Sequence, residues 1–290
     1  MTEKAGDTGD RATLDVATVV QQLFALLANV AVLTGLLVYF GWRRTETQAV
    51  RMGFDESILD LGTQDYLLRS VGPVLQLLLI IGVGGLVAIP LDALIRRRLG
   101  TRGGPRVRAA VVAVGLGWLV LPALVVFLGL WFPAFAYVAF PLSIGLGALL
   151  VPYAFDLRAR QGSRSLSRRA RSTERLFAVV IVVLALFWAT SNYAEVLGNR
   201  IADRIAATTA AMTPVAVFSP DPLNLDGPGV EETELPSGPY RFEYTGLRLL
   251  EHTDQGYVLL SSGWTYDDGV VFVLPPGPPL RFEFGRGTEP

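Results

Sequence analysis

Apolar positions in this chain gather into five long runs, and after residue 213 the runs give way to alternation. The first run extends from about Val16 to Trp42, and its core from Leu23 to Phe40 carries only Asn29 and Thr34 as polar residues. The others cover about 71–95, 109–131, 134–155 and 176–193. A hydrocarbon core of roughly 30 Å needs about 20 helical residues, so each run is read as a transmembrane helix. Only Phe132 and Pro133 separate the third and fourth runs, which predicts a tight helical hairpin. A four-helix count, with one hairpin merely dipping into the bilayer, is the alternative. The polar lead of residues 1–15 holds four acids against Lys4 and Arg11, and no A-x-A site precedes Arg43 and Arg44. The first run is therefore read as an uncleaved anchor rather than a signal peptide.

Downstream, Ile201, Ile205 and Met212 share a stripe and extend the fifth helix to Pro214. Residues 219–239, with five prolines and five acids, read as an extended linker. Period two then takes over. Tyr240, Phe242 and Tyr244 alternate with Arg241 and Glu243, Gly246 marks a bulge, and Leu247 and Leu249 resume the pattern. Further strands are expected at Tyr257–Ser261, Val270–Leu274 and Leu280–Phe284, with Val215–Phe218 before them. The predicted fold is a membrane α-helical bundle of five transmembrane helices with a small C-terminal extracytoplasmic antiparallel β domain. Its parts are a cytoplasmic tail (1–15), a transmembrane domain (16–194) with a structured outer loop (43–70), a helical extension (195–213) and a β meander of four or five strands (214–290).

Charge gives the orientation. Segment 96–108 holds six arginines and no acid, and 156–175 holds seven arginines against Asp156 and Glu174. Loops rich in Lys and Arg stay cytoplasmic, so both face inward. Segment 43–70 has four arginines against five acids, and 195–290 has six against fourteen, so both face outward. Arg43 and Arg44 are the local exception. The N-terminus is expected in the cytoplasm and the C-terminus outside. The arginine clusters, Arg97, Arg98, Arg168 and Arg169 among them, are expected to contact anionic lipid at the cytoplasmic face. No aromatic or motif accompanies them, so nucleic acid is not expected as a partner.

Candidate chemistry is sparse. Apolar residues make up 51% of 290 and charged residues only 18%, against about a quarter in soluble domains. With no cysteine, disulfides, thiolate metal sites and cysteine nucleophiles are excluded. Asp92 is the one carboxylate inside a run and is expected to pair with Arg96, its i+4 neighbour. Gln21, Gln22, Asn29 and Gln76 serve helix packing or a narrow polar path. Ala109, Ala113 and Gly117, like Ser143 and Gly147, recur every four positions and allow close helix contact. Gly82, Gly84 and Gly85 raise the alternative of a broken helix. His252 lacks companions for a metal site, and Glu231, Glu232 and Glu234 lack calcium-loop spacing. No cofactor is expected, and no acid/base pair supports an enzyme.

In the outer loop, Asp55 is expected to cap a turn ending at Gly62, Thr63 to cap the next helix, and Asp65 to pair with Arg69. Phe54, Ile58, Leu59 and Tyr66 give this loop an apolar surface, and the β domain is the expected counterpart, through Leu247, Leu249 and Val258. Trp264 and Tyr266 read as core or interface aromatics, or as a carbohydrate or peptide platform. Together, Phe54, Ile58, Leu59, Tyr66, Trp264 and Tyr266 form the candidate interaction surface.

The stretches GFDESILDLGTQDYLLRSV (Gly53–Val71) and YRFEYTGLRLLEHTDQGYVLLSSGW (Tyr240–Trp264) resemble segments of uncharacterised multi-spanning integral membrane proteins from actinobacteria such as streptomycetes. The arginine bias, with Lys4 the only lysine, agrees with a GC-rich genome. The resemblance implies an architecture and a host group and brings no catalytic residues. The expected role is non-enzymatic: a plasma-membrane protein presenting its β domain to a protein partner or envelope component. A channel or transporter subunit forming its pore as a homo-oligomer is the alternative.

Overall fold

The computed structural model describes residues 31, 33–99, 105–160 and 168–286. The tail and the first apolar run up to residue 30, with Gln21, Gln22 and Asn29, lie outside the described residues. Five helices follow one another: α1 (33–51), α2 (Thr63–Leu99), α3 (Pro105–Gly129), α4 (Pro133–Arg160) and α5 (Arg168–Thr208). Among the described residues, three segments are long and apolar enough to cross a membrane: Thr63–Leu86, Pro133–Phe155 and Ser172–Ala211. Val114–Gly129 is apolar but shorter.

Their surfaces are unlike those of a soluble bundle. Leu68, Leu79, Leu86, Leu130, Phe132 and Phe177 all stand exposed, on faces that water would penalise and hydrocarbon would not. What is buried is small. Gly117, Ser143, Gly145 and Gly147 are buried where α3, α4 and α5 meet. A Cβ on Gly147 would lie 2.7 Å from the Cα of Trp118, and one on Gly145 would lie 3.0 Å from the Cβ of Ala185. Thus α4 sits between α3 and α5, and the small-residue stripe does what such stripes do in lipid: it lets backbones approach. Gly82, Gly84 and Gly85 lie within the unbroken helix α2.

Helices α1 and α5 run parallel. Tyr39 contacts Ser191 (3.2 Å), Arg43 pairs with Glu195 (3.1 Å) and Arg51 pairs with Asp203 (2.7 Å), an unchanging offset of 152 residues. Helix α1 continues nine residues past the predicted span end at Trp42, so part of the expected loop is helix. Phe40, Val74 and Ala194 pack α1, α2 and α5 together. A Cβ at Gly41 would meet the Tyr66 carbonyl oxygen at 2.1 Å, so α1 and α2 cross at backbone contact.

Six antiparallel strands follow: β1 (Pro214–Ser219), β2 (Glu231–Glu234), β3 (Phe242–Thr253), β4 (Gly256–Ser261), β5 (Val271–Leu274) and β6 (Arg281–Phe284). The order is β5-β4-β3-β1-β6, with β2 also on β3. Three corrections follow. Part of the expected linker is a strand, β2. Pro214 opens β1 instead of ending the helix, which stops at Thr208. The last strand is not a continuation of the meander but crosses to the far side of β1. The bulge falls where Gly246 predicts it: three steps along β3, Leu247 to Tyr244, oppose two along β1, Val215 to Val217. Gly246 has φ +73, a conformation costly for any residue with a Cβ. Long β3 is the spine, with β1 along one edge and β2 then β4 along the other. The sheet coils until Tyr257 of β4 stacks on Phe282 of β6 at 4.4 Å. Val217, Phe242, Tyr244, Leu247, Leu259 and Leu274 fill its concave side.

Candidate functional site: the docked face of the β domain

Alternation along a strand gives a sheet two faces, and the second face of this one is also buried. Leu259 belongs to the concave core, whereas Leu260 points the other way. Leu260, Leu250, Val271 and Trp264 pack against Ala202, Ile205, Ala206 and Met212 of the α5 extension, and against Met52 and Phe54. The second apolar face is therefore Leu250, Leu260 and Val271. Leu247 and Leu249, expected there, belong to the concave side instead. A bulge shifts the register between β3 and β4 at Leu249/Glu251, and a one-residue slip moves side chains to the opposite face.

Phe54 arrives through local backbone chemistry. The Gly53 N–H donates to the Val50 carbonyl (3.1 Å) and the Phe54 N–H to the Ala49 carbonyl (3.1 Å), with Gly53 at φ +87. That pair of bonds is the Schellman ending of α1. It turns the chain sharply and delivers the next side chain into the cluster. Asp55 then caps a single 3-10 turn, Glu56–Leu59, by accepting from the Ser57 N–H at 2.8 Å. This hydrogen bonding holds the Asp55 carboxyl below its usual range. The turn ends at Asp60, at φ 45, and not at Gly62. Gly62 rather than Thr63 precedes α2, and its N–H donates to the Asp65 carboxylate at 2.9 Å. Asp65 is thereby half of a capping box; its charge still favours the Arg69 guanidinium, but it does not form the ion pair.

Arg69 instead reaches across to Glu251 on β3, forming a half-buried ion pair. The Gln255 amide donates to Asp60 at 2.6 Å, tying the β3–β4 turn to the same loop. On the α5 side, Arg51 makes two hydrogen bonds to Asp203 (2.9 and 2.7 Å), and the Tyr266 hydroxyl donates to the same carboxylate at 2.7 Å. Arg51 also lies over the Tyr266 ring, 5.0 Å from its centroid. Arg248 donates to the Met212 carbonyl at 3.2 Å. Helix α1, the loop, α5 and the sheet thus form one packed and cross-linked unit.

The structure disperses the candidate surface. Phe54 and Trp264 share the docked cluster. Tyr266 packs edge-on against Trp264 at 5.2 Å and closes the arginine latch. Leu59 is buried beneath the loop, and the Tyr66 hydroxyl donates to Glu56. Ile58 is 44% exposed and belongs to no core. Burial pushes the Glu56 carboxyl up. Asp92, Arg96, Arg97 and Arg98 lie in the last turns of α2, and Arg168 and Arg169 open α5; their side chains lie outside the described residues. Among the described residues, no group of three His, Asp or Glu is placed to hold a metal ion. Arg51, Asp203, Leu250 and Leu260 carry the docking and were not singled out from sequence. The extension's stripe of Ile201, Ile205 and Met212 leaves Asp203 off it, and nothing local signals a pairing 152 positions away.

The exceptional Arg43 and Arg44 are both engaged. Arg43 bridges Glu46 (2.6 Å) and Glu195 (3.1 Å), and Arg44 donates to the Arg69 carbonyl at 2.8 Å. The Arg43 charge is thus paired within the fold, whereas the partner of Arg44 is a backbone carbonyl. No protein-family model, curated protein or solved structure matches the chain.

Proposed function

We propose that this is a five-span plasma-membrane protein of an actinobacterium whose helices hold a small extracytoplasmic β domain rigidly above the bilayer, where it binds a protein partner or envelope component without catalysing a reaction. One observation carries this reading: one face of the sheet is clamped jointly by α5 and by the α1–α2 loop, at the end of a parallel helix pair. Parallel α1 and α5 agree with crossings in the same direction, and three helices between them agree with five spans. A domain on a flexible tether needs no second apolar face, whereas one held at a set height and angle does. Its outer edges stay free for a ligand: Val273 on β5 and Phe284 on β6 are both exposed.

The alternative, a pore formed by oligomerisation, calls for a polar stripe along the helices. Three described polar side chains are engaged locally, while Gln76 faces the groove between α2, α4 and α5. Asn192 donates to the Tyr137 carbonyl at 2.6 Å, and Ser143 and Thr190 bond back to their own helices. A two-part experiment tests the reading. Single cysteines at Asp55, Gly162 and Gly227 of this cysteine-free chain are exposed to an impermeant maleimide on intact cells. Labelling at 55 and 227 but not 162 is expected, and labelling at 162 alone overturns the orientation. A photo-crosslinker at Val273 or Phe284 is then expected to capture a partner or envelope polymer in cells. Adducts only with copies of the same chain support the oligomer instead.

A further inference from the structure

A groove of about 430 Å³ opens between α2, α4 and α5. The volume falls in the range of sites for small molecules. Its walls are mainly apolar, with Ile80, Phe135, Val138, Leu142 and Val196 among them; Gln76 and Tyr193 also line it, and Arg200 adds a cation at the end nearest the sheet. The groove lies at the end of the bundle that carries the sheet, since Phe135 begins α4 and Arg200 follows the spanning part of α5.

The charge at that end is uncompensated. Arg204 lies one turn beyond Arg200. Neither has a carboxylate within ion-pair distance among the described residues. The nearby acids are committed elsewhere, Asp203 to Arg51 and Tyr266, and Glu195 to Arg43 and Tyr137. Two like charges at i and i+4 repel, so an anion shared between them removes a cost built into the helix. An apolar slot leading to a pair of unpaired cations matches one kind of molecule: an amphiphile with a chain and an anionic head.

We propose that this groove binds one anionic phospholipid of the outer leaflet, its acyl chain against Ile80, Val138 and Leu142 and its phosphate held by Arg200 and Arg204. The proposal rests on the reading that these helices cross a membrane. It is distinct from the cytoplasmic arginine clusters, which lie at the opposite end of the bundle. Each arginine near a lipid surface favours an anionic head by roughly fivefold.

The test uses the full chain, purified in mild detergent with equimolar phosphatidylglycerol and phosphatidylcholine and read by native mass spectrometry. The wild-type protein is expected to retain one phosphatidylglycerol in preference. Arg200→Gln should weaken that preference roughly fivefold, and Arg200→Lys should restore most of it. Val138→Trp, which fills the slot, should abolish retention of either lipid. The proposal is overturned if Arg200→Gln leaves the preference intact, or if only Arg97→Gln with Arg98→Gln removes it. It is also overturned if the spectrum shows a dimer that Val138→Trp dissolves, because the groove is then a face between two copies. Release of the protein from membranes by alkaline carbonate defeats the membrane reading itself; loss of lipid preference in a protein that stays integral defeats only this site.

Discussion

Phe54→Ala separates docking of the β domain from its folding. The ring belongs to the loop, not to the sheet, and it packs into the cluster of Met52, Ala202, Leu260 and Trp264. Truncating a fully buried Phe costs about 3–5 kcal/mol, part transfer and part cavity. Phe54 is only partly buried, so about half of that, roughly 2 kcal/mol, is expected. The concave core of Val217, Tyr244, Leu247 and Leu259 is untouched, so the loss falls on the docked state. A change of that size raises the undocked population about 30-fold. Ala202 is 0% exposed at the centre of the contact. In an Ala202→Cys background it becomes the only thiol, and its reaction with a thiol reagent follows the population of the open state when reclosing is fast. Labelling should accelerate about 30-fold with Phe54→Ala and less than about threefold with Ile58→Ala, whose side chain meets solvent. An acceleration below threefold for Phe54→Ala would show that the loop is not part of the clamp.

Three further outcomes follow from the same contacts. The Trp264 indole N–H is buried without an acceptor among the described residues, so Trp264→Phe removes an unmet donor and should cost under about 1 kcal/mol, against about 3–5 for Trp264→Ala; equal losses in thermal melts would mean that the N–H is bonded. Gly147→Ala drives a methyl to 2.7 Å from the Trp118 Cα and should cost about 1–3 kcal/mol, whereas Gly82→Ala, with nothing within 4 Å, should be neutral or stabilising by up to about 1 kcal/mol; detergent melts showing both alike would refute the α3–α4 contact. The Asp55 carboxyl is depressed in the folded state by its bonds to the Ser57 hydroxyl and N–H, so its cap is present above the ordinary Asp value of about 4 and is lost as pH falls through the lower folded value. Protection of the Ser57 amide from hydrogen exchange should fade across that acid window and persist in Asp55→Asn.

Sequence alone determined the parts whose causes are local. Run length and the two periodicities place the helices and most of the strands, because side-chain direction repeats every 3.6 or 2 residues whatever the chain packs against. Gly246 announces its bulge and Asp55 its cap, since each acts within a few residues. The small residues near 117 and 147 announce a close helix contact. Tertiary structure decided what is not local. Glu231–Glu234 carries no apolar alternation, yet it is a strand because β3 offers it a free edge. Strand β6 follows β5 in the chain but pairs with β1, since coiling of the sheet brings that edge around and buries Phe282 on Tyr257. Arg69 forms its ion pair with Glu251 while the Asp65 carboxylate accepts from the Gly62 N–H. Leu260, not Leu247, faces the helix, because a β-bulge sets which side of each strand looks outward. The clamp joins positions from 36 to 195 apart, and only packing can select such partners: a buried face takes whichever complementary surface the fold delivers, and no residue-by-residue pattern records which one that is.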